Sequence, residues 1–194
     1  MSTAAAVKAQ DSRQRFIDAA IRLFTRHSFA GTSLQMIADE VGVTKAAVYH
    51  HFRTREELLA AVIEPLVTQM RESVEAAEAQ RTAHARADTV LTGFVDLVVR
   101  NQDLIPVFAG DPGTVEMLRS QHNVEGLVER QVALLEALDP TPAGKVRAAV
   151  ALAGIACSVG PSRLAADFDP ETLRPLLLDA GRRTLGLRAP RRPQ

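Results

Sequence analysis

At 194 residues, 46% of them hydrophobic, the chain is long enough to bury a sizeable core without covalent staples, and its single cysteine, Cys157, excludes an intramolecular disulfide. The 23 basic and 23 acidic side chains cancel, so whole-chain charge creates no field favouring nucleic acid and any such role has to come from local charge. The first residues lack the apolar core of a secretory signal and no uncharged apolar run reaches the roughly 18–20 residues of a membrane span, so a cytoplasmic location with no membrane partner is expected.

Taken in chain order, residues 1–11 are small and mixed polar and read as a flexible arm. From Ser12, a candidate N-cap, Phe16, Ala19, Ala20, Leu23 and Phe24 step by three and four, which predicts an amphipathic helix ending near His27. Gly31 breaks the pattern. Ser33 then caps a short helix whose apolar face is Leu34, Ile37, Ala38 and Val41. Gly42 sits at its C-cap, where a residue free to adopt positive φ reverses the chain, and Thr44 is the candidate cap of a third helix running to Phe52. Thr54 caps a long fourth helix with Leu59, Val62, Ile63, Leu66, Met70 and Val74 on one face. Pro65 lies inside it and, having no N–H to offer the carbonyl of Ala61, predicts a kink.

The rest also reads as helix, over residues 85–101, 104–109, 114–138 with a break at Gly126, 142–159 and 170–185. Asp169 before Pro170 is a clear start, and Gly113 and Gly160 mark interruptions. No segment alternates as a strand does. The expected fold is therefore all-α: a three-helix N-terminal domain over residues 12–55, a larger helical domain over 56–187 that begins with the fourth helix, and a disordered Arg- and Pro-rich tail over 188–194.

Residues 32–52 have the layout of a helix-turn-helix, one short helix bracing another across a tight turn. Ala38 is small where the helices cross, Gly42 occupies the turn, and Val41, Val43, Val48 and Phe52 anchor the pair from beneath. Thr44, Lys45, Ala46, Ala47, Tyr49 and His50 are left facing outward. Residues 1–60 carry eight Lys/Arg against six Asp/Glu, a small positive excess.

On Thr32, Ile37-Ala38, Gly42-Val43, Val48-Tyr49-His50-His51-Phe52 and Thr54-Arg55-Glu56-Glu57-Leu58-Leu59, the chain resembles the tetracycline-repressor (TetR) family over roughly residues 12–62. The resemblance implies that the third helix lies in the DNA major groove and that the fourth links this reader to a helical regulatory domain. It further implies that Thr32, Tyr49 and Arg55 contact phosphates, with Lys45, Ala46, Ala47 and His50 at or near base edges. Ser33, Gln35 and Thr44 complete the candidate DNA-binding set. Arg55 departs from the Lys usual in the family but keeps a phosphate-binding cation. Ala46 stands where many members have Gly, and its methyl suits close approach or a thymine methyl.

One small reader offers few base contacts, so two copies on half-sites about 34–36 Å apart are expected, on a palindromic operator. The candidate homodimer interface is the small-residue stripe Val146, Ala149, Val150, Ala153, Gly154 and Cys157, paired with Leu173, Leu176, Leu177 and Ala180. Periodicity alone leaves open that this stripe is monomer core. Leu91, Phe94, Val98, Phe108, Met117, Leu118 and His122 supply apolar material for a cavity holding a hydrophobic or amphipathic effector of unidentified structure, with Arg119 or Gln121 as further polar anchors.

Two other classes compete with a ligand-released repressor. For an enzyme, the histidines form no His-Glu-x-x-His pair, and His50 and His51 point about 100° apart on a helix. There is no Gly-x-Ser-x-Gly elbow or phosphate-binding Gly-rich loop, so no catalysis, cofactor or metal is expected. The second is a helical ligand-binding or protein-interaction module that has kept the fold without binding DNA.

Overall fold

The computed structural model describes residues 3–105, 124–159 and 168–187, and these fold into eight α-helices. They are α1 (Thr3–His27), α2 (Leu34–Val41), α3 (Lys45–His51), α4 (Arg55–Glu78), α5 (Ala83–Arg100), α6 (Val124–Glu136), α7 (Pro142–Val159) and α8 (Pro170–Leu185). No strand occurs among the described residues, in keeping with an all-α fold.

Local chemistry accounts for most of the boundaries. The Ser33 hydroxyl accepts from the Met36 N–H, that of Thr54 from Glu57, that of Thr82 from Ala85, and the Asp169 carboxylate from Thr172. Each such cap satisfies an N–H that has no partner within the helix and is worth about 1 kcal/mol. At the C-terminus of α2, Gly42 takes φ 75°, the Val43 N–H reaches the Ala38 carbonyl at 3.0 Å and the Gly42 N–H reaches Asp39 at 3.2 Å, a Schellman motif.

Three details differ from the sequence expectations. Helix α1 begins at Thr3, so residues 3–11 extend it where a flexible arm was expected; Ala4–Gln10 are mostly strong helix formers that prolong a helix already nucleated beyond them. Thr44 occupies the N-cap of α3 without a capping side-chain hydrogen bond. Helix α6 runs through Gly126 without a break, while Pro65 lies inside α4 at an exposed position. The positions Gly113, Gly160 and residues 106–109, 114–123 and 188–194 lie outside the described residues.

Two apolar cores form, and α4 belongs to both. The first gathers Phe16, Ala20, Phe24, Ile37, Ala38, Val48 and Phe52 around Leu58–Val67 of α4, with Leu104 and Leu127 joining from outside the N-terminal helices. The second gathers Val74 and Ala77 of α4 with Val90, Leu91, Val95 and Val98 of α5, Leu135 of α6, Ile155 of α7 and Leu178 of α8. Helix α4 thus supplies residues 58–67 to the first core and Val74 and Ala77 to the second. Charged pairs bind the second group across its rim: Arg182 to Asp88 at 2.7 Å and Arg174 to Asp96 at 2.5 Å tie α8 to α5, and Arg130 to Glu78 at 2.7 Å ties α6 to α4. These are partly exposed, bidentate Arg–carboxylate contacts, which add geometric specificity more than energy.

Candidate nucleic-acid interface

The α2–turn–α3 unit is held from below. Ile37, Ala38 and Val48 are fully buried, Phe52 is 2% exposed, and the guanidinium of Arg13 lies 5.2 Å from the centre of the Phe52 ring. Since Val48 and Phe52 fix one face of a seven-residue helix, the opposite face must point outward. It carries Lys45, Ala46, Tyr49 and His50, all exposed, with Ala47 half-buried. Tyr49 is 45% exposed, and the Lys45 ammonium stands 5.4 Å from its ring centre, so an aromatic plate and a cation are presented together.

Beside this face lies an open groove of about 320 Å³, lined by Ser33 and Gln35 from α2, Lys45 and Tyr49 from α3, and Arg53 and Thr54 from the junction with α4. The capped N-termini of α2 and α4 border it, so their partial positive charge adds to that of Lys45 and Arg53. The Gln35 amide donates to Asp39 at 2.7 Å across the exposed surface of α2. Arg53 was not among the residues singled out from the sequence. Its signal was its place two residues before the Arg55 of the motif, in the loop that returns from the recognition helix.

Thr32 and Arg55 occupy less open positions. Thr32 is 2% exposed and its hydroxyl donates to the Ser28 carbonyl at 2.8 Å. Arg55 uses Nη1 to donate to the carbonyls of Phe29, Ala30 and Thr32 at 3.3, 3.1 and 3.0 Å, and its guanidinium lies 5.1 Å from the centre of the Phe29 ring. The loop these two side chains brace contains Ser28 at φ 62°, an uncommon value for a residue with a Cβ. Both therefore hold the entry to α2, while the side of Arg55 that is still exposed borders the groove.

Behind α3, His51 is half-buried, with its ring centre 5.4 Å from that of Phe16 and 5.4 Å from that of His50. Burial, then the neighbouring His50 and Arg13, hold its pKa below the ordinary 6.5 and favour the neutral ring. His50 projects to solvent and His51 to the core, as their adjacent positions on a helix require.

The candidate regulatory residues separate into groups. Leu91 and Val98 are buried in the second core, and Leu91 fills the space beside Gly181. Phe94 is half-buried and borders a small void. Phe108, Met117, Leu118, His122, Arg119 and Gln121 lie outside the described residues. Of the stripe proposed as a dimer face, Val146, Ala149, Val150, Ala153, Gly154, Cys157, Leu176 and Ala180 are at least partly exposed, whereas Leu173 and Leu177 point inward to the second core at 3% and 7% exposure.

Comparison with known proteins places this geometry. Residues 16–62 match the family described as "Bacterial regulatory proteins, tetR family". The chain is 41% identical over 63 residues to the transcriptional regulator SrpR of Pseudomonas putida, covering 32% of this chain and 30% of that protein. It is 32% identical over 74 residues to the transcriptional repressor AcnR of Corynebacterium glutamicum, covering 38% and 39%. These matches thus span well under half of each relative. In fold, the chain is similar to the TetR-family regulator PfmR of Thermus thermophilus, with a TM-score of 0.68 at 17% identity over 91% of this chain and 100% of that one. Residues 16–62 are thus a helix-turn-helix domain of the tetR-family type, and the chain that carries them has the helical fold of such regulators.

Proposed function

We propose that the protein is a homodimeric repressor that binds a palindromic operator through α3 and is released from it by a small hydrophobic or amphipathic effector. The observation that carries this reading is the outward face of α3. Lys45, Ala46, Tyr49 and His50 project from a helix whose other side is locked by Val48 and Phe52, next to a groove bordered by two capped helix N-termini and by Arg53. Small side chains at Ala46 and Ala47 let the helix approach base edges closely, while Lys45, Tyr49, Ser33, Gln35, Thr44 and Arg53 serve the phosphates on either side. Operator DNA inside the cell sets a cytoplasmic location.

Dimerisation is supported by the unpartnered apolar face of α7 and α8, where Val146 is 62%, Val150 55% and Leu176 52% exposed. Helix α7 is long and apolar enough to cross a membrane by length and composition. Its other face, Ala148, Ala151, Ile155 and Val159, is packed in the second core, so a facing copy of the same helix suits it better than lipid. Coupling runs through α4. Leu58–Val67 belong to the reader's core and Val74 and Ala77 to the regulatory core, so a shift of α4 in one moves the other. An effector that prefers the shifted arrangement by about 1–3 kcal/mol lowers DNA affinity about 5- to 150-fold.

The test is fluorescence anisotropy on DNA immediately upstream of the protein's own gene, across a salt series, with an unrelated duplex alongside. Selective binding that weakens with salt, and its loss in Lys45→Ala and Tyr49→Ala, is the expected outcome. If neither that DNA nor random-site selection yields a bound sequence from folded, dimeric protein, the repressor reading falls and the helical interaction module replaces it.

A further inference from the structure

Within the second core, α4, α5 and α6 enclose a void of about 10 Å³ bordered by Met70, Ser73, Gly93, Phe94, Leu97 and Gln131. Two of these side chains are unusual for an apolar core. Ser73 Oγ is buried without a hydrogen-bond partner. Gln131 is 4% exposed, and no hydrogen bond among the described residues involves its side-chain amide. Buried polar groups are normally paired, and leaving one unpaired is costly, so Ser73 Oγ calls for a partner, and Gln131 borders the same void.

Gly93 makes the arrangement possible. A Cβ at that position would lie 1.8 Å from Ser73 Oγ, so only glycine allows the hydroxyl to sit between α4 and α5. A mid-helix glycine and an unpaired serine each cost stability relative to alanine. Two facing helices therefore both give up stability at one point, and the feature gained is a hydroxyl pointing into a void.

The chemistry of the lining restricts what can enter. Among the described residues no Lys, Arg, His, Asp or Glu borders the void, so none of them supplies a countercharge to an ionised group buried there. A Ser hydroxyl and a Gln amide together can donate to a carbonyl and both donate to and accept from a hydroxyl. The present volume suits about one water. Met70, Phe94 and Leu97 are only half-buried, and the unbranched Met side chain adapts readily, so the walls can yield to a larger apolar body.

We propose that Ser73 and Gln131 form the hydrogen-bonding end of an effector subsite that takes the neutral hydroxyl or carbonyl group of an otherwise apolar molecule and rejects carboxylates and amines. The inference rests on the effector-controlled reading above and narrows it to one ligand class. Ser73 lies on α4 between the residues given to the two cores, so filling the void acts on the helix that both share.

Thermal unfolding of the intact protein without DNA tests this, using 1-octanol, 2-octanone, octanoate and octylamine as probes at neutral pH. The alcohol and ketone raise the Tm and the two charged chains do not. In calorimetric titration, Ser73→Ala, which removes the hydroxyl without adding bulk, weakens 1-octanol binding about tenfold, as does Gln131→Leu. Equal stabilisation by octanoate overturns the proposal, as does an unchanged 1-octanol affinity in both variants. So does a native protein indifferent to both neutral probes, since the void then holds no more than a water. None of these readouts involves DNA. Neutral probes that bind through Ser73 yet leave DNA affinity unchanged support the subsite and count against effector release, so the two readings fail separately.

Discussion

Arg55 shows how much one side chain's role depends on its surroundings. From the motif it is a cation destined for a phosphate, and its neighbours Ser33 and Lys45 do line the groove where a phosphate would lie. In the folded chain its Nη1 also gathers three carbonyls of the loop between α1 and α2, all from residues outside the helices. Charge-assisted hydrogen bonds of this kind are stronger than neutral ones, and three acceptors lose their donor together if the side chain is cut back. Arg55→Ala is expected to lower stability by about 1–2 kcal/mol, read from the urea midpoint, besides weakening DNA binding. Arg55→Lys should recover part of the DNA affinity but little of the stability, because a flexible ammonium does not reproduce the planar fork. An unchanged urea midpoint in Arg55→Ala would show that the three carbonyls do not need it.

At the scale of elements, the reader depends on the 42–44 turn, because a seven-residue helix such as α3 is too short to be stable alone. Its position comes from the Schellman motif at Gly42 and from the burial of Val48 and Phe52. A Cβ on Gly42 would meet nothing within 4 Å, so the only obstacle to a larger residue is the backbone value of φ 75°. Gly42→Ala should therefore cost about 1–2 kcal/mol in urea unfolding, and Gly42→Asn less, since Asn tolerates the left-handed region. A neutral result for Gly42→Ala would mean that the turn relaxes to another geometry, which loss of DNA binding would reveal. Helix α1 illustrates the opposite case, where an element grew beyond its amphipathic core because nothing in residues 3–11 stops it.

For the whole molecule, the decisive features are a helix shared by two cores and an apolar face left open. Leu104 and Leu127 reach into the reader's core from the larger domain, so the two parts are connected by packing as well as by α4. The open face of α7 can be tested without disturbing the monomer, because Val150 is 55% exposed. Val150→Asp places a charge at the centre of the proposed isologous contact, where each copy meets its own counterpart. Sedimentation is expected to show a monomer with an unchanged circular dichroism spectrum, and DNA affinity should fall because half-sites are no longer bound together. A Val150→Asp protein that remains dimeric would move the interface elsewhere.

The order of helices, the turn at Gly42 and the outward set on α3 were legible in the amino-acid sequence because they rest on short-range physics. Helical periodicity, side-chain caps and positive φ are decided within a few residues, and a seven-residue helix with two buried anchors has one free face. The same locality explains what was missed. Apolar periodicity shows that a face is buried but not what against, so Leu173 and Leu177 could not be told from Val146 and Val150. The brace made by Arg55 joins residues 23 to 26 positions apart, and the meeting of Ser73, Gly93 and Gln131 joins three helices. Such contacts depend on how helices cross, which follows from the packing of the whole chain, and only the tertiary structure decided them.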